Sequence, residues 1–219
     1  RDRYTGGGIG PKIEKAVRVM KSQREKALEH GLKFAFENHA GDLRTDELIG
    51  LIEETGPEVC GALFDPSNAA WAMEDPMESM VKLGSRIICT SVRDFNLWEM
   101  EDGAAFQNTV IGKGLMDYNL VMKHMAEKCP GVPLHIETIT PEIRTIPYLE
   151  PGFWEGYPDV LAADLAGFLR LLKKGVRVNV PEPPAGEDPE EFNRELQKSQ
   201  FLESLRVLRN TYHAGIKSS

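Results

Sequence analysis

The 219-residue sequence contains no run approaching the roughly 18 to 20 consecutive apolar residues of a membrane span, so a membrane protein is not expected. Its first residues, Arg1-Asp2-Arg3-Tyr4-Thr5-Gly6-Gly7-Gly8, include neither an initiator Met nor an apolar signal-peptide core, and the chain reads as starting inside a longer protein. Cysteine is scarce. Cys60, Cys89 and Cys129 cannot all pair with one another and lack zinc-site spacing, which points to a reducing, cytoplasmic setting. Positive charge is in deficit, 26 Lys and Arg against 34 Asp and Glu, and the net charge of −8 argues against a nucleic-acid or anionic-membrane partner. What is present, 41% hydrophobic and 27% charged residues, is the balance of a globular protein: one domain, or one domain with an appendage.

Along the chain a helix-then-strand unit recurs. Residues 11–30 carry an apolar stripe (Ile13, Val17, Met20, Ala27) with Pro near the start and Gly31 past the end, the marks of an amphipathic helix. It leads to an alternating strand over 33–39. Helices near 44–54, 76–83 and 118–128 lead in turn to strands over 59–65, 86–94 and 133–138. Strands separated by helices form parallel sheets, because a parallel connection needs a crossover. A Pro, Gly and aromatic-rich segment (147–158) then precedes a helix over 160–174. A linker with Pro181, Pro183, Pro184 and Gly186 leads to a long terminal helix, 188–213, with Phe192, Leu196, Phe201, Leu202, Leu205 and Leu208 on its apolar side. Residues 1–175 are expected to form one unit and 176–219 a linker and helix.

In parallel α/β folds the active site lies at the carboxyl ends of the strands. Glu37, Asp65 and Glu137 end three of these strands, and the alternation of Phe34/Phe36, Ala62/Phe64 and Leu134/Ile136 turns all three toward one interior. Like charges gathered in this way need a compensating cation or protons, and an all-oxygen set suits Mg²⁺ or Mn²⁺. His39, two residues beyond Glu37, is a candidate proton shuttle or a hydrogen-bonded structural histidine. Arg93 is suited to hold a substrate carboxylate or hydroxyl pair, or to form a salt bridge with Asp94 or a neighbouring acid. His135 is expected to pack inside, Lys113 to sit in an exposed loop, and Gly6-Gly7-Gly8-Ile9-Gly10 to form a loop or lid, since it matches no phosphate-binding spacing.

These pieces together resemble the carboxyl-terminal part of a sugar phosphate isomerase/epimerase of the xylose isomerase-like TIM-barrel superfamily. Phe36-Glu37-Asn38-His39 matches the fifth barrel strand, Phe64-Asp65-Pro66-Ser67-Asn68 the sixth, Ser91-Val92-Arg93-Asp94 the seventh and Ile136-Glu137-Thr138 the eighth, with residues 111–118 as the loop to the next helix. The resemblance spans about residues 10–175, and it implies strands five to eight of a (β/α)₈ barrel plus a helical extension. It further implies that Glu37, Asp65 and Glu137 ligate a divalent cation, Mn²⁺ or Mg²⁺. The fourth ligand in such epimerases is a His, and Ser91 stands at its position; Gln107, in an inserted loop over 102–107, or a water, is the alternative.

The expected activity is proton transfer beside a carbonyl of a sugar or sugar acid, with Glu37, Glu137 and His39 as catalytic groups and Arg93 and Asn68 holding substrate. Residues 107–137 and 139–154 also resemble the sugar-acid branch that includes oxo-isoapionate decarboxylases, so a metal-dependent lyase is the rival, and a non-catalytic binding or assembly subunit is a third reading. The first four strands are expected upstream or in another chain. The terminal helix is expected to make an intersubunit or interdomain contact, giving a homo-oligomer, with packing on its own barrel as the competing outcome.

Overall fold

The computed structural model describes residues 2–39, 41–139 and 142–215, so residues 140 and 141 of the 139–154 run lie outside the described residues. Helix α1, Gly10–Glu29, buries Val17 and Ala27, and the chain leaves it through Gly31, whose φ of +62° is easy only for glycine. It is followed by β1 (Phe34–Glu37), α2 (Thr45–Thr55), β2 (Cys60–Phe64), α3 (Pro66–Trp71), α4 (Pro76–Leu83) and β3 (Ile87–Thr90). The three strands pair in the order β1-β2-β3, parallel throughout. Asp65 and Asp75 each precede a proline and cap α3 and α4, accepting Ser67 N and Met77 N at 2.8 Å, so Asp-Pro marks both helix starts.

The fourth expected parallel strand is reduced to one bridge, Val92 to Ile136, carried by Val92 N to His135 O (2.7 Å) and Glu137 N to Val92 O (3.2 Å). Its ladder is interrupted by a side chain. The Thr90 hydroxyl donates to Pro133 O (2.9 Å) and accepts from His135 N (3.1 Å), filling the place of a backbone partner next to a proline with no N–H to offer. Among the described residues the parallel sheet is not closed.

A second sheet, absent from the sequence reading, follows. The chain reverses at Asp94 into β4 (Asp94–Met100), which pairs antiparallel with β5 (Gly103–Thr109) across a two-residue connection, and β6 (Arg144–Ile146) joins the outer edge. The expected strand over 86–94 therefore stops at Thr90, and the expected loop at 102–107 is a strand. Phe95 and Phe106 stack at 5.3 Å, with Trp71 edge-on to Phe106 at 5.6 Å, joining the hairpin to α3.

Asp94 shapes the turn after the hairpin. Its buried carboxylate accepts the backbone N–H groups of Phe95 (2.8 Å), Gly112 (3.0 Å), Gly114 (3.0 Å) and Met116 (3.1 Å), and it makes no pair with Arg93. At Gly114 a Cβ would stand 2.3 Å from both Asp94 Oδ1 and Phe95 O. Gly114→Ala should cost about 1 to 3 kcal/mol through this overpacking, seen as a lower Tm; an unchanged melt would mean that the loop can shift freely.

Helix α5 (Tyr118–Lys128) forms over the expected residues, and Asp117 caps it. The helix expected over 160–174 is instead a 3₁₀ turn, Ala162–Leu165, and a short α6, Ala166–Leu172, whose Gly167 presses against Asp75. Terminal helix α7, Pro189–Asn210, packs on its own chain through its second half: Ser204 and Leu208 are buried, Ser204 Oγ accepts Ile111 N (3.2 Å), and Lys113 pairs with Glu203 (2.6 Å). Phe201 and Leu202 remain 40% and 39% exposed. The Gly-rich turn is anchored by Arg3, which is buried over the Tyr157 ring at 4.5 Å and donates to Gly41 O at 2.8 Å.

Candidate functional site

Parallel pairing brings the ends of β1 and β2 side by side, and the Val92–Ile136 bridge sets residue 137 beside the segment after β3. The carboxylates of Glu37, Asp65 and Glu137 consequently converge, with one oxygen from each lying within 4.8 Å of the other two. Three residues the sequence grouped are thus together.

Their surroundings differ. Asp65 is 0% exposed and its two oxygens accept from Ser67 N (2.8 Å), Asn68 N (3.3 Å), Asn68 Nδ2 (2.9 Å), Arg93 Nε (3.1 Å) and Arg93 Nη2. A carboxylate has about four lone-pair sites, so this one is saturated. Burial pushes its pKa up to about 6 despite the adjacent Arg93 guanidinium, which pulls the other way. Burial also opposes the charge on Arg93, but Asp65, Glu137 and Glu37 together outweigh it and raise its pKa. Glu37 accepts from Asn68 Nδ2 (3.0 Å), and Glu137 accepts from the Ser91 hydroxyl (2.5 Å). Both remain partly exposed, unlike Asp65.

Arg93 and Asn68 therefore lie in the cluster, as partners of the carboxylates. Arg93 Nη1 stands 3.2 Å from Glu137 Oε1 without hydrogen-bond alignment, which leaves a buried N–H group unpaired. His39 does not join them: its side chain is 65% exposed and lies 4.0 Å from Asp42. The strand ends at Glu37, so the two-residue alternation that would aim His39 inward no longer applies. Asn38 turns in instead, donating Nδ2 to Asp65 O (2.8 Å) and accepting Asp65 N on Oδ1 (2.9 Å). Its value as a strand-to-strand clamp left no periodic signal.

Gln107 is buried on β5 opposite Asn96, and among the described residues no hydrogen bond links it to the three carboxylates. His135 is exposed rather than packed, with Nδ1 3.5 Å from Cys89 Sγ. Lys113 is the exposed loop residue expected.

Residues 4–172 match the xylose isomerase-like TIM barrel family. The chain belongs to that family. It is 28% identical over 102 residues to the uncharacterized protein YihM of Escherichia coli, covering 47% of this chain and 31% of that protein. It is 21% identical over 121 residues to a 3-oxo-isoapionate decarboxylase of Pectobacterium atrosepticum, covering 54% of this chain and 44% of the other. The chain thus spans less than half the length of these relatives. A crystal structure of a xylose isomerase domain protein from Planctomyces limnophilus shares 22% identity over 72% of this chain and 50% of the other, with a TM-score of 0.46. No helix among the described residues is long and apolar enough to cross a membrane.

Proposed function

We propose that this protein is an isomerase or epimerase that moves a proton beside a carbonyl of a sugar or sugar acid with the help of Mn²⁺ or Mg²⁺. The observation that carries the reading is the convergence of Glu37, Asp65 and Glu137 at the strand ends of an isomerase-like fold. Such hard cations bind oxygens at roughly 2.0 to 2.6 Å, so two ligands of one ion stand no more than about 5 Å apart. The 4.8 Å spread fits that limit. Charge fits too, because three carboxylates and one guanidinium leave −2 for a dication to offset.

Glu37, Asp65 and Glu137 would hold the ion, with Gln107 or water as a neutral ligand. When bound, it would polarise the substrate carbonyl as a Lewis acid. The chain's own groups do the rest. Glu37 and Glu137 share the cluster and are partly open, which suits one to take a proton and the other to return it. Ser91 orients Glu137, and Asn68 orients Glu37.

A metal-dependent decarboxylase of an oxo sugar acid is the second reading, favoured by Ser91 at the position of the epimerase histidine and by the similarity to a decarboxylase. Two measurements test the proposal. Chelated protein should gain thermal stability with Mn²⁺, about 2.7 kcal/mol at a hundredfold excess over Kd. Ketoses and oxo sugar acids incubated in D₂O should then acquire deuterium beside the carbonyl, whereas carbon dioxide release would move the assignment to the lyase. No stabilisation by Mn²⁺ or Mg²⁺ and no turnover would favour a binding subunit.

A further inference from the structure

We propose that Arg93 is the resident counter-cation of the carboxylate cluster, occupying the Asp65 oxygens that a divalent ion would need and so competing with it. The argument starts from crowding. Arg93 is 5% exposed and grips Asp65 with both ends of its fork, Nε to Oδ1 and Nη2 to Oδ2, while Nη2 also reaches Asn68 Oδ1 at 3.3 Å. With Ser67 N, Asn68 N and Asn68 Nδ2 on the same two oxygens, Asp65 has no lone pair left.

The other side of the guanidinium faces Glu137 Oε1 at 3.2 Å, so one positive charge bridges two of the three acids. Ser91 donates to Glu137 and Asn68 to Glu37, so the chain's own groups also hold the two outer carboxylates. A dication seeking all three carboxylates must therefore take Asp65 from Arg93 and tolerate a positive charge a few ångströms away. Even with the screening of bulk water, removing one such charge from beside a dication tightens binding about tenfold. Arg93 thus holds the ligands together in the metal-free protein and weakens the metal-loaded one.

The inference rests on the metal-assisted reading for its first arm only. Mn²⁺ binding to the chelated full-length chain would be titrated by the EPR signal of free Mn²⁺, and thermal melts recorded in EDTA. Arg93→Gln should bind Mn²⁺ at least about tenfold more tightly than the wild type. It should also melt lower in EDTA and recover when Mn²⁺ is saturating. Arg93→Lys keeps the charge but lacks the fork, so its affinity should fall between the two.

Equal or weaker Mn²⁺ binding by a folded Arg93→Gln protein would overturn the proposal, since Arg93 would then be supporting the ligands rather than competing for them. If the Gln variant does not fold, the Lys variant decides, and an affinity equal to that of the wild type overturns it. If neither wild type nor variants take up Mn²⁺, the metal-assisted reading falls, and the EDTA melts judge the counter-cation role alone. Recovery by Lys of at least half the stability lost with Gln would support it, and equal losses would overturn it.

Discussion

Glu137→Gln should lower kcat at least about a hundredfold while the protein stays folded, because general acid–base groups are typically worth that much or more. On the proposed reading Glu137, open where Asp65 is not, meets the substrate. Asp65 is sealed in and saturated, whereas Glu137 is partly exposed and held chiefly by Ser91 and the edge of Arg93. An amide in its place has the same size and can still accept from the Ser91 hydroxyl, so the packing cost is small. What disappears is a negative charge and an oxygen able to carry a proton. The measurement is turnover on whichever sugar or sugar acid shows deuterium incorporation with the wild type, alongside the melt of each protein. Activity above about a tenth of wild type, with an unchanged melt, would place the proton transfer elsewhere.

The cluster was legible because Glu37 and Asp65 stand at the ends of adjacent parallel strands whose apolar alternation fixes a direction, and the Val92–Ile136 bridge brings Glu137 to the same side. That logic stops where the strand stops. His39 lies beyond the last paired residue of β1, so counting by twos misplaced it, and Asn38 took the inward position with no pattern to announce it. The second sheet was missed for a different reason. Asp102-Gly103 between apolar alternating stretches is a hairpin signal, and Gly103 is required there because a Cβ would stand 2.3 Å from Ile146 O. Taking 102–107 as an inserted loop hid both that signal and the strand position of Gln107. The fourth parallel strand is hydrophobic enough to be recognised, yet its ladder is broken by the Thr90 hydroxyl, a side-chain substitution that no periodicity encodes. Arg93 was visible as an anion-binding fork that an acid of the chain itself could take, but that the acids are Asp65 and Glu137 rather than Asp94 follows only from their convergence around it.

The reversal between Arg93 and Asp94 ties this site to the fold, and Asp94→Ala should expose that link as the largest single loss of stability. Four backbone N–H groups, those of Phe95, Gly112, Gly114 and Met116, point at one buried carboxylate. Each buried donor left unsatisfied costs about 1 to 3 kcal/mol, and partial access of the loop to water brings the expected total to about 3 to 5 kcal/mol. For a chain of this length that corresponds to a drop in Tm on the order of 10 °C. Burial pushes the Asp94 pKa up while the same four N–H groups hold it down, so a neutral side chain avoids one desolvation cost but leaves the donors orphaned. Asp94→Asn is the informative companion: its carbonyl can satisfy one side, while its NH₂ group turns donors against donors, so it should fall between Ala and wild type. The neighbour matters as well. Tyr118 donates its hydroxyl to Arg93 O at 3.1 Å, and its helix begins two residues after Met116, so a loosened 112–116 turn should also weaken the seat of Arg93 against Asp65. A change in Tm of less than about 2 °C for Asp94→Ala would mean that the turn holds itself, and that the carboxylate merely occupies a space other contacts have already defined.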